Sequence, residues 1–207
     1  MYTPKFNVVG DEAEIRRMVS AAKVGWLISA TGEGVPVATF LPVIWQGDTV
    51  ITHMAKANSH WRSIGEEAPG LVVVTGPDAY VTPSWYPTKK EHGKTVPTWN
   101  YTAVHLSGPL TVHKDSDWLR MAVTELTDLH EQVRDDPWEV TDAPADYVNS
   151  MLRAIIGVEM RVETVEGKAK LSQNRSDADQ LGVIAGLTAE PYNGAREIAD
   201  AMAELRA

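Results

Sequence analysis

Residues 97–112 read PTWNYTAVHLSGPLTV, and their alternating pattern predicts one long β-strand around which the chain is organised. Successive side chains of a strand point to opposite faces. One predicted face carries flat rings and polar tips, from Trp99, Tyr101, Ala103 and His105. The other face carries Asn100, Thr102, Val104 and Leu106. The first face suits a planar ligand or a partner subunit, while a half-buried barrel strand whose rings form local hydrogen bonds is the alternative.

The segments on either side of this strand predict further short antiparallel strands and peripheral helices. Strand patterns occupy residues 24–30, 35–45, 49–54, 71–75, 79–82 and 154–165. Helix patterns begin after a cap at Asp11 and then occupy residues 59–67, 115–134, 145–153, 176–187 and 193–206. A turn is predicted at 31–34, and the long polar loop at 83–97 is predicted to be a lid or a subunit-crossing arm.

This order of elements predicts the fold class. Because the strands do not alternate with helices as in a parallel sheet, we expect an α+β, mainly β protein built on a small closed barrel with peripheral helices. The length favours a single domain over residues 1–207, with C-terminal helices from about residue 176.

The composition disfavours several classes of protein. The formal net charge is −9, and residues 114–146 hold ten Asp or Glu against three Lys or Arg, which disfavours direct nucleic-acid binding. The chain has no cysteine, which excludes disulfides and thiolate metal sites and indicates a cytoplasmic setting. No segment approaches the roughly 18 apolar residues of a membrane span, so we expect no membrane association.

The first candidate binding segment is residues 53–62, where a predicted strand runs into a capped helix. Its polar members are His53, Lys56, Asn58, Ser59, His60 and Arg62. Backbone N–H groups at a helix start attract anions, so a phosphate is expected here with Lys56 or Arg62 as counter-charge. An ordinary capped helix with an exposed Arg is the alternative. The spacing of the two histidines disfavours zinc, although a single His remains a candidate axial ligand for haem.

The second candidate segment is residues 168–175, at a predicted strand-to-helix junction. Its polar members are Lys168, Lys170, Ser172, Gln173, Asn174 and Arg175. Such side chains can bond a phosphate, a ribityl chain or a ring edge. The alternative is a solvated helix start capped by Asn174 or Ser176.

Sequence motifs do not identify a catalytic residue. The chain lacks G-x-S-x-G, H-E-x-x-H, a Walker loop and a G-x-G-x-x-G after a strand. A Ser-His-Asp arrangement can be assembled from Ser172 and His105, but no pattern joins its members. Among the seven Trp residues, Trp99 is expected nearest to a flat cofactor.

Five segments, in order along nearly the whole chain, resemble the PaiB family. They are Met1-Tyr2-x-Pro4-x-Phe6; His53-Met54-Ala55-Lys56-Ala57-Asn58-x-His60-Trp61-Arg62; Gly76-Pro77-x-Ala79-Tyr80-Val81-x-Pro83-Ser84-Trp85-Tyr86; Val96-Pro97-Thr98-Trp99-Asn100-Tyr101-x-x-Val104-His105; and Lys170-Leu171-Ser172-Gln173-Asn174-Arg175. Ser59 departs from the family pattern, in which Pro is common at this position.

The resemblance implies a split β-barrel like that of pyridoxamine phosphate oxidase, a homodimer, and FMN in clefts at the subunit interface. It also implies a negative regulator of sporulation and protease genes, which the acidic composition allows only through an indirect action. The cofactor-binding residues expected from it are His53, Lys56, Asn58, Ser59, His60, Arg62, Trp99, Asn100, Lys170, Ser172, Gln173, Asn174 and Arg175.

The resemblance leaves three functions open. The first is an FMN-binding protein with flavin-dependent redox chemistry on a small-molecule substrate, or an indirectly acting regulator. The second is a haem-dependent piperazate synthase that forms an N–N bond from N5-hydroxyornithine. In it, haem b would be ligated by His60, or in second place by His53, with Lys56 or Lys170 near the substrate. The third is a non-catalytic flavin or haem sensor that signals through its acidic helix.

Overall fold

The long strand predicted at the centre of the chain is present as Thr98–His113. A computed structural model describes residues 1–30 and 34–206, so most of the turn predicted at 31–34 lies outside the described residues. The chain divides into two units. The first unit comprises Met1–Ile15, Thr75–Val104 and Glu166–Ala207, and the second comprises Arg16–Val74 and His105–Val165.

The elements are antiparallel strands interrupted by helices, as predicted. The strands are β1 (Val8–Val9), β2 (Val24–Ser29), β3 (Val37–Pro42), β4 (Ile44–Gln46), β5 (Thr49–Ala55), β6 (Glu67–Val81), β7 (Thr98–His113), β8 (Ile155–Arg161) and β9 (Thr164–Lys170). The helices are α1 (Glu12–Ala22), α2 (His60–Ile64), α3 (Thr88–His92), α4 (Ser116–Glu131), α5 (Ala145–Leu152), α6 (Asp177–Ala189) and α7 (Asn193–Glu204). Short 3-10 turns occupy Lys5–Asn7, Pro83–Trp85 and Val140–Asp142.

The second unit is built on antiparallel pairs, and the strand order is β3-β2-β6-β7-β8-β5-β4. Gly157 of β8 lies opposite His53 on β5 and His113 on β7. The Trp118 ring of α4 covers this glycine, because a Cβ there would lie 2.0 Å from a ring carbon. Asp115 caps α4 by accepting hydrogen bonds from the Asp117 and Trp118 N–H groups, at 3.1 and 2.9 Å. These contacts fix α4 against β5 and β8.

In the first unit, β1 pairs with β9, and β9 also pairs with β7. Helices α6 and α7 pack together over a core that includes Tyr86, Val183, Leu187 and Ile198. Gly182 and Gly186 of α6 face the Pro83–Trp85 turn. A Cβ on Gly182 would lie 2.1 Å from the Trp85 carbonyl oxygen, and one on Gly186 would lie 2.3 Å from the Trp85 ring.

Several predicted boundaries were wrong, among them those of the strands at 35–45 and 154–165, which are each divided between two strands, β3 and β4 or β8 and β9. The helix predicted at 59–67 ends at Ile64, because Gly65 takes a positive φ of 69° and turns the chain. The strands predicted at 71–75 and 79–82 are one strand, β6, in which Gly70 leaves room for the Leu110 side chain. Residues 168–170, predicted as a polar junction, are the end of β9, and Lys168 there is paired with Val8.

The predicted long loop at 83–97 is only partly irregular. It contains the Pro83–Trp85 turn and α3, which ends at Gly93 in the left-handed conformation. Tyr86 is buried in the core of the first unit, so this end of the segment is anchored. None of the helices in the described part of the chain is long and apolar enough to cross a membrane.

Candidate functional site

The 53–62 segment lies wholly in the second unit, where β5 ends and α2 begins. Asn58 supplies the side-chain bond at the helix start, since its Oδ1 accepts from the His60 N–H at 3.0 Å. Ser59 is exposed at the cap position, and Lys56 and Arg62 are exposed beside it. The predicted helix is therefore present with only five residues, and its cap position is Ser59, one residue after the predicted cap Asn58.

The imidazole of His60 lies inside the unit, 1% exposed, between two hydroxyl groups. Its Nε2 is 2.9 Å from Ser29 Oγ on β2, and its Nδ1 is 2.8 Å from Thr39 Oγ1 on β3. Asn58 Nδ2 also donates to Thr39 Oγ1, at 3.3 Å. Burial lowers the pKa of His60, so the ring is neutral at pH 7 and one nitrogen donates while the other accepts.

Both ring nitrogens of His60 are therefore occupied. Ligation of a haem iron would require one of these two bonds to break, and a buried hydroxyl that loses its partner costs about 1–3 kcal/mol. The geometry supports a positioning role for His60, which ties the start of α2 to β2 and β3.

Cationic side chains gather around Trp61, the residue after His60. The Arg62 guanidinium carbon is 5.2 Å and the Lys114 Nζ is 4.8 Å from the centroid of the Trp61 ring. Trp61 Nε1 donates to the Lys56 carbonyl oxygen at 3.0 Å, which fixes the ring against the backbone of this exposed residue. Lys56, Trp61, Arg62 and Lys114 are called here the Trp61 cationic patch. It is a locally positive surface on a chain of net charge −9, and such a surface binds anions.

His53 does not belong to this patch. It lies on β5 with its ring toward α4, where it lines a cavity together with Leu126 and His130. Burial lowers the pKa of His53, so its ring is neutral at pH 7. Of the two histidines in the segment, only His60 is bonded to the start of α2.

In the first unit, side chains of the 168–175 segment are bonded internally. Lys170 Nζ donates to Thr98 Oγ1 and to the Trp99 carbonyl oxygen, at 2.5 Å each. Burial, followed by the positive charges of Lys168 and Arg175, lowers the pKa of Lys170. Lys168 Nζ donates to the Tyr2 carbonyl oxygen at 3.0 Å. Both lysines thus hold backbone in place.

The next residues turn back on the chain. Ser172 has a positive φ of 62°, and its Oγ lies 3.0 and 3.2 Å from Nδ2 and Oδ1 of the fully buried Asn100. Gln173 accepts from the Leu171 N–H at 2.7 Å and donates to the Ala169 carbonyl at 2.6 Å. The side chains of Ser172 and Gln173 therefore stabilise a tight backbone turn.

The remaining predicted residues of the first unit are spread over separate contacts. The Arg175 guanidinium lies 4.8 Å from the Tyr86 ring centroid, and Asn174 is exposed. Trp99 Nε1 donates to Asp78 at 2.8 Å, and its half-exposed ring lies 6.0 Å from that of Tyr80. Ser176 caps α6, as the alternative interpretation predicted, since its Oγ accepts from the Asp179 N–H at 3.2 Å.

Several residues of the candidate site were not predicted from the sequence. Ser29 and Thr39 hold the His60 ring, and their signal is polarity at inward-facing strand positions, which is unusual in a barrel core. Trp61 lies within the predicted segment, but Lys114 is far from it in sequence and gave no signal. Within residues 1–30 and 34–206, no cluster of three or more His, Asp or Glu side chains is arranged to hold a metal ion.

Comparison with known proteins identifies relatives over most of the chain. Residues 1–164 match the family described as "Putative FMN-binding domain". The chain is 32% identical over 206 residues to the protease synthase and sporulation protein PAI 2 of Bacillus subtilis, covering 98% of this chain and 96% of that protein. It is 37% identical over 155 residues to an uncharacterized protein of Aspergillus fumigatus, covering 67% of this chain and 59% of that protein.

Two solved structures show the same fold. The FAD and heme binding protein from Mycobacterium smegmatis aligns with a TM-score of 0.61 at 17% identity, over 83% of this chain and 77% of that chain. The flavocytochrome Anf3 from Azotobacter vinelandii aligns with a TM-score of 0.55 at 16% identity, over 77% of this chain and 67% of that chain. The predicted fold class, a mainly β split barrel with peripheral helices, is confirmed.

Proposed function

Because the chain belongs to the PaiB family of FMN-binding domains, we propose that it binds FMN and that the Trp61 cationic patch holds the phosphate. The observation that carries this proposal is the gathering of Arg62 and Lys114 around one indole, with Lys56 beside it. A phosphate dianion needs such charge-assisted donors, which are stronger than neutral ones. The donor set therefore fits the group.

The residues behind the patch keep it in shape. Asn58 and His60 bind the start of α2 to β2 and β3 through Thr39 and Ser29. This network is neutral and internally bonded, so it positions the cationic residues without competing for the ligand. FMN, when bound, would supply one- and two-electron redox chemistry, and the protein would supply binding and orientation.

The first-unit residues are not part of this proposal. The Nζ of Lys170, the Oγ of Ser172 and the amide of Gln173 are already bonded to their own unit. Their recruitment to a cofactor would break those bonds. The geometry thus favours the 53–62 segment over the 168–175 segment as the phosphate site.

Titration of purified protein with FMN and with riboflavin, which lacks the phosphate, tests the proposal. Wild-type protein should bind FMN more tightly than riboflavin. Arg62→Gln and Lys114→Gln should each weaken FMN binding about tenfold, the equivalent of about 1.4 kcal/mol, and leave riboflavin binding nearly unchanged. Lys90→Gln on α3 is the matched control for the loss of an exposed cation.

Three outcomes would contradict the phosphate assignment. Wild-type protein could bind FMN and riboflavin equally tightly, Arg62→Gln and Lys114→Gln could weaken the binding of both flavins equally, or Lys90→Gln could weaken FMN binding as much as they do. An intense haem absorption band in place of a flavin spectrum would favour the haem alternative. The piperazate synthase and sensor alternatives would then be separated by turnover of an N-hydroxylated amine. The bonded state of His60 argues against it as the iron ligand in either alternative.

We propose that the homodimer implied by the resemblance forms through the outer face of β2 and β3. Trp26 and Phe40 lie opposite each other there, with ring centroids 5.1 Å apart, and are 43% and 53% exposed. Val73 of β6 is paired with Trp26 and extends the same face. Exposed apolar patches of this kind mark interaction sites.

Light scattering during gel filtration tests the interface. Wild-type protein should elute as a dimer and Phe40→Glu as a monomer, whereas Val133→Glu, at another exposed apolar position, should remain dimeric. A monomeric wild type, or a dimeric Phe40→Glu, would remove this face from the proposal. The net charge of −9 disfavours direct DNA contact, so we propose that regulation by this protein acts through a partner.

A further inference from the structure

Three strand ends of the second unit meet at the Trp61 cationic patch. Strand β7 ends at His113, one residue before Lys114, whose Nζ lies 4.8 Å from the Trp61 ring centroid. Strand β5 ends at Ala55, one residue before Lys56, whose carbonyl oxygen accepts from Trp61 Nε1. Strand β8 lies between β5 and β7 in the sheet, so its start is the third strand end at this edge.

The start of β8 brings a further cation to the patch. The Lys56 N–H donates to the Ala154 carbonyl oxygen at 2.8 Å, one step beyond the last paired residues of β5 and β8. Arg153 precedes Ala154 and is the residue at which α5 ends. Because consecutive Cα atoms are about 3.8 Å apart, the backbone of Arg153 lies close to that of Lys56.

The chain does not neutralise the cations at this edge. Among the residues whose structure is described, no carboxylate forms an ion pair with any of the four cations, Lys56, Arg62, Lys114 and Arg153. Asp115, which follows Lys114, accepts instead from N–H groups of α4. All four cations are exposed, so an anion in solution has access to them. Their combined charge favours such an anion.

One phosphate monoester leaves Arg153 without a partner. A monoester carries a charge of about −1.5 to −2 at pH 7, which the three cations of the Trp61 cationic patch balance. A second phosphoryl group joined to the first would supply the charge that Arg153 lacks. Because the cations are exposed, the edge is open to solvent, and a group attached beyond the first phosphate extends away from the protein.

We propose that Arg153 binds a second phosphoryl group, so that the patch accepts the flavin dinucleotide FAD as well as FMN. This inference rests on the proposed phosphate site and adds to it a residue and a class of ligand, the diphosphate esters. A guanidinium suits this role because it donates two parallel hydrogen bonds to one phosphoryl group. Arg153 is thus a specificity-determining residue of the proposed site.

A purely structural role of Arg153 predicts a different result. A positive charge at the C-terminus of a helix stabilises the helix through its dipole, and Arg153 lies at the C-terminus of α5. Loss of that role would lower stability and would weaken the binding of FMN and FAD by the same factor. The ratio of the two affinities therefore separates ligand binding from helix stabilisation.

Titration of the full-length protein with FAD, FMN and riboflavin, followed by flavin fluorescence, tests the proposal. Wild-type protein should bind FAD at least as tightly as FMN. Arg153→Gln should weaken FAD binding about tenfold and FMN binding by less than about threefold, because only FAD has the second phosphoryl group. Arg17→Gln, at an exposed position of α1 in the same unit, is the matched control and should leave the ratio unchanged.

Inorganic diphosphate and inorganic phosphate give a second measurement, in which each displaces FMN from the protein. Diphosphate should displace FMN from the wild type at a lower concentration than phosphate does. Arg153→Gln should reduce this difference, whereas Arg17→Gln should retain it.

The proposal is overturned if wild type binds FAD more weakly than FMN, if Arg153→Gln leaves the FAD-to-FMN ratio unchanged, or if Arg17→Gln lowers that ratio equally. Failure of the phosphate site itself is distinguishable, because wild type would then bind FMN and riboflavin equally. If FMN is preferred to riboflavin and only the effect of Arg153→Gln on the ratio is absent, the phosphate site stands and the second phosphoryl site is refuted.

Discussion

Replacement of His60 by Phe should destabilise the protein by about 2–4 kcal/mol. Phe keeps a planar aromatic ring, so this cost arises mainly from the two lost hydrogen bonds, and its larger volume adds to the cost. Ser29, 1% exposed, loses its bond to Nε2, and an unpaired buried hydroxyl costs about 1–3 kcal/mol. Thr39 loses its bond to Nδ1 but keeps the Asn58 amide at 3.3 Å, so its share is smaller, about 1 kcal/mol.

Urea unfolding at pH 7.5 followed by circular dichroism measures this loss. With a typical slope of roughly 2 kcal/mol per molar, the unfolding midpoint should fall by about 1–2 M without a change in slope. A double-mutant cycle that combines His60→Phe with Ser29→Ala isolates the hydrogen bond between Ser29 and His60. His60→Phe should cost about 1–2 kcal/mol less in the Ser29→Ala background, because no hydroxyl is then left unpaired.

Additivity of the two substitutions within about 0.5 kcal/mol would refute this reasoning, since it would mean that Ser29 and His60 are not coupled. An undiminished stability of His60→Phe would refute it as well, and would also remove the positioning role given to this histidine in the proposed phosphate site.

Three further perturbations test other parts of the structure. Gly157→Ala places a Cβ 2.0 Å from a Trp118 ring carbon, so it should lower the free energy of unfolding by about 1–3 kcal/mol and change the near-ultraviolet circular dichroism. Gly10→Ala, whose Cβ would have no atom within 4 Å, is the control and should change neither the stability nor the spectrum. Ser172→Gly should be about 1 kcal/mol more stable in urea unfolding than Ser172→Ala, since both lose the bond to Asn100 but only Gly relieves the positive φ; equal stability would contradict this. Lowering the pH from about 7.5 to about 5.5 should destabilise the protein. Burial lowers the pKa of three histidines below the unfolded value of about 6.5, so in this range the unfolded chain binds protons that the folded chain does not. Stability is thus full above about pH 6.5 and falls below it by up to about 1.4 kcal/mol per pH unit for each histidine, and a flat urea midpoint across this range would contradict the assignment. These histidines are His53, His60 and His113.

Local patterns predicted the elements whose causes are local. The alternation in β7 and the start of the helix pattern at Asp115 each depend on residues a few positions apart, and both were confirmed. The prediction of separate strands at 71–75 and 79–82 was wrong, because the Gly76-Pro77 pair between them is a turn signal in isolation, whereas β6 runs through it from Glu67 to Val81. Gly76 is required there by Thr102, since a Cβ on Gly76 would lie 2.1 Å from Thr102 Oγ1.

In the candidate site, too, only features with local causes could be predicted from the sequence. The sequence predicted the start of α2 and its exposed cations, but His60 was assigned to the ligand because its partners, 21 and 31 residues distant, have no local signature. Polar residues at 168–175 were assigned to a ligand for the same reason. Composition shows that they can form hydrogen bonds, but only the folded backbone shows that Ser172 bonds to Asn100.

The glycine pair in α6 has a consequence for the order in which the first unit forms. Each glycine disfavours a helix by about 1 kcal/mol relative to alanine, and a helix of thirteen residues is marginal in water even without this penalty. Gly182 and Gly186 are nevertheless required, because Trp85 occupies the space where their side chains would be. Residues 177–189 and the Trp85 turn should therefore become ordered in one step, and hydrogen exchange should expose the amides of both segments at the same rate.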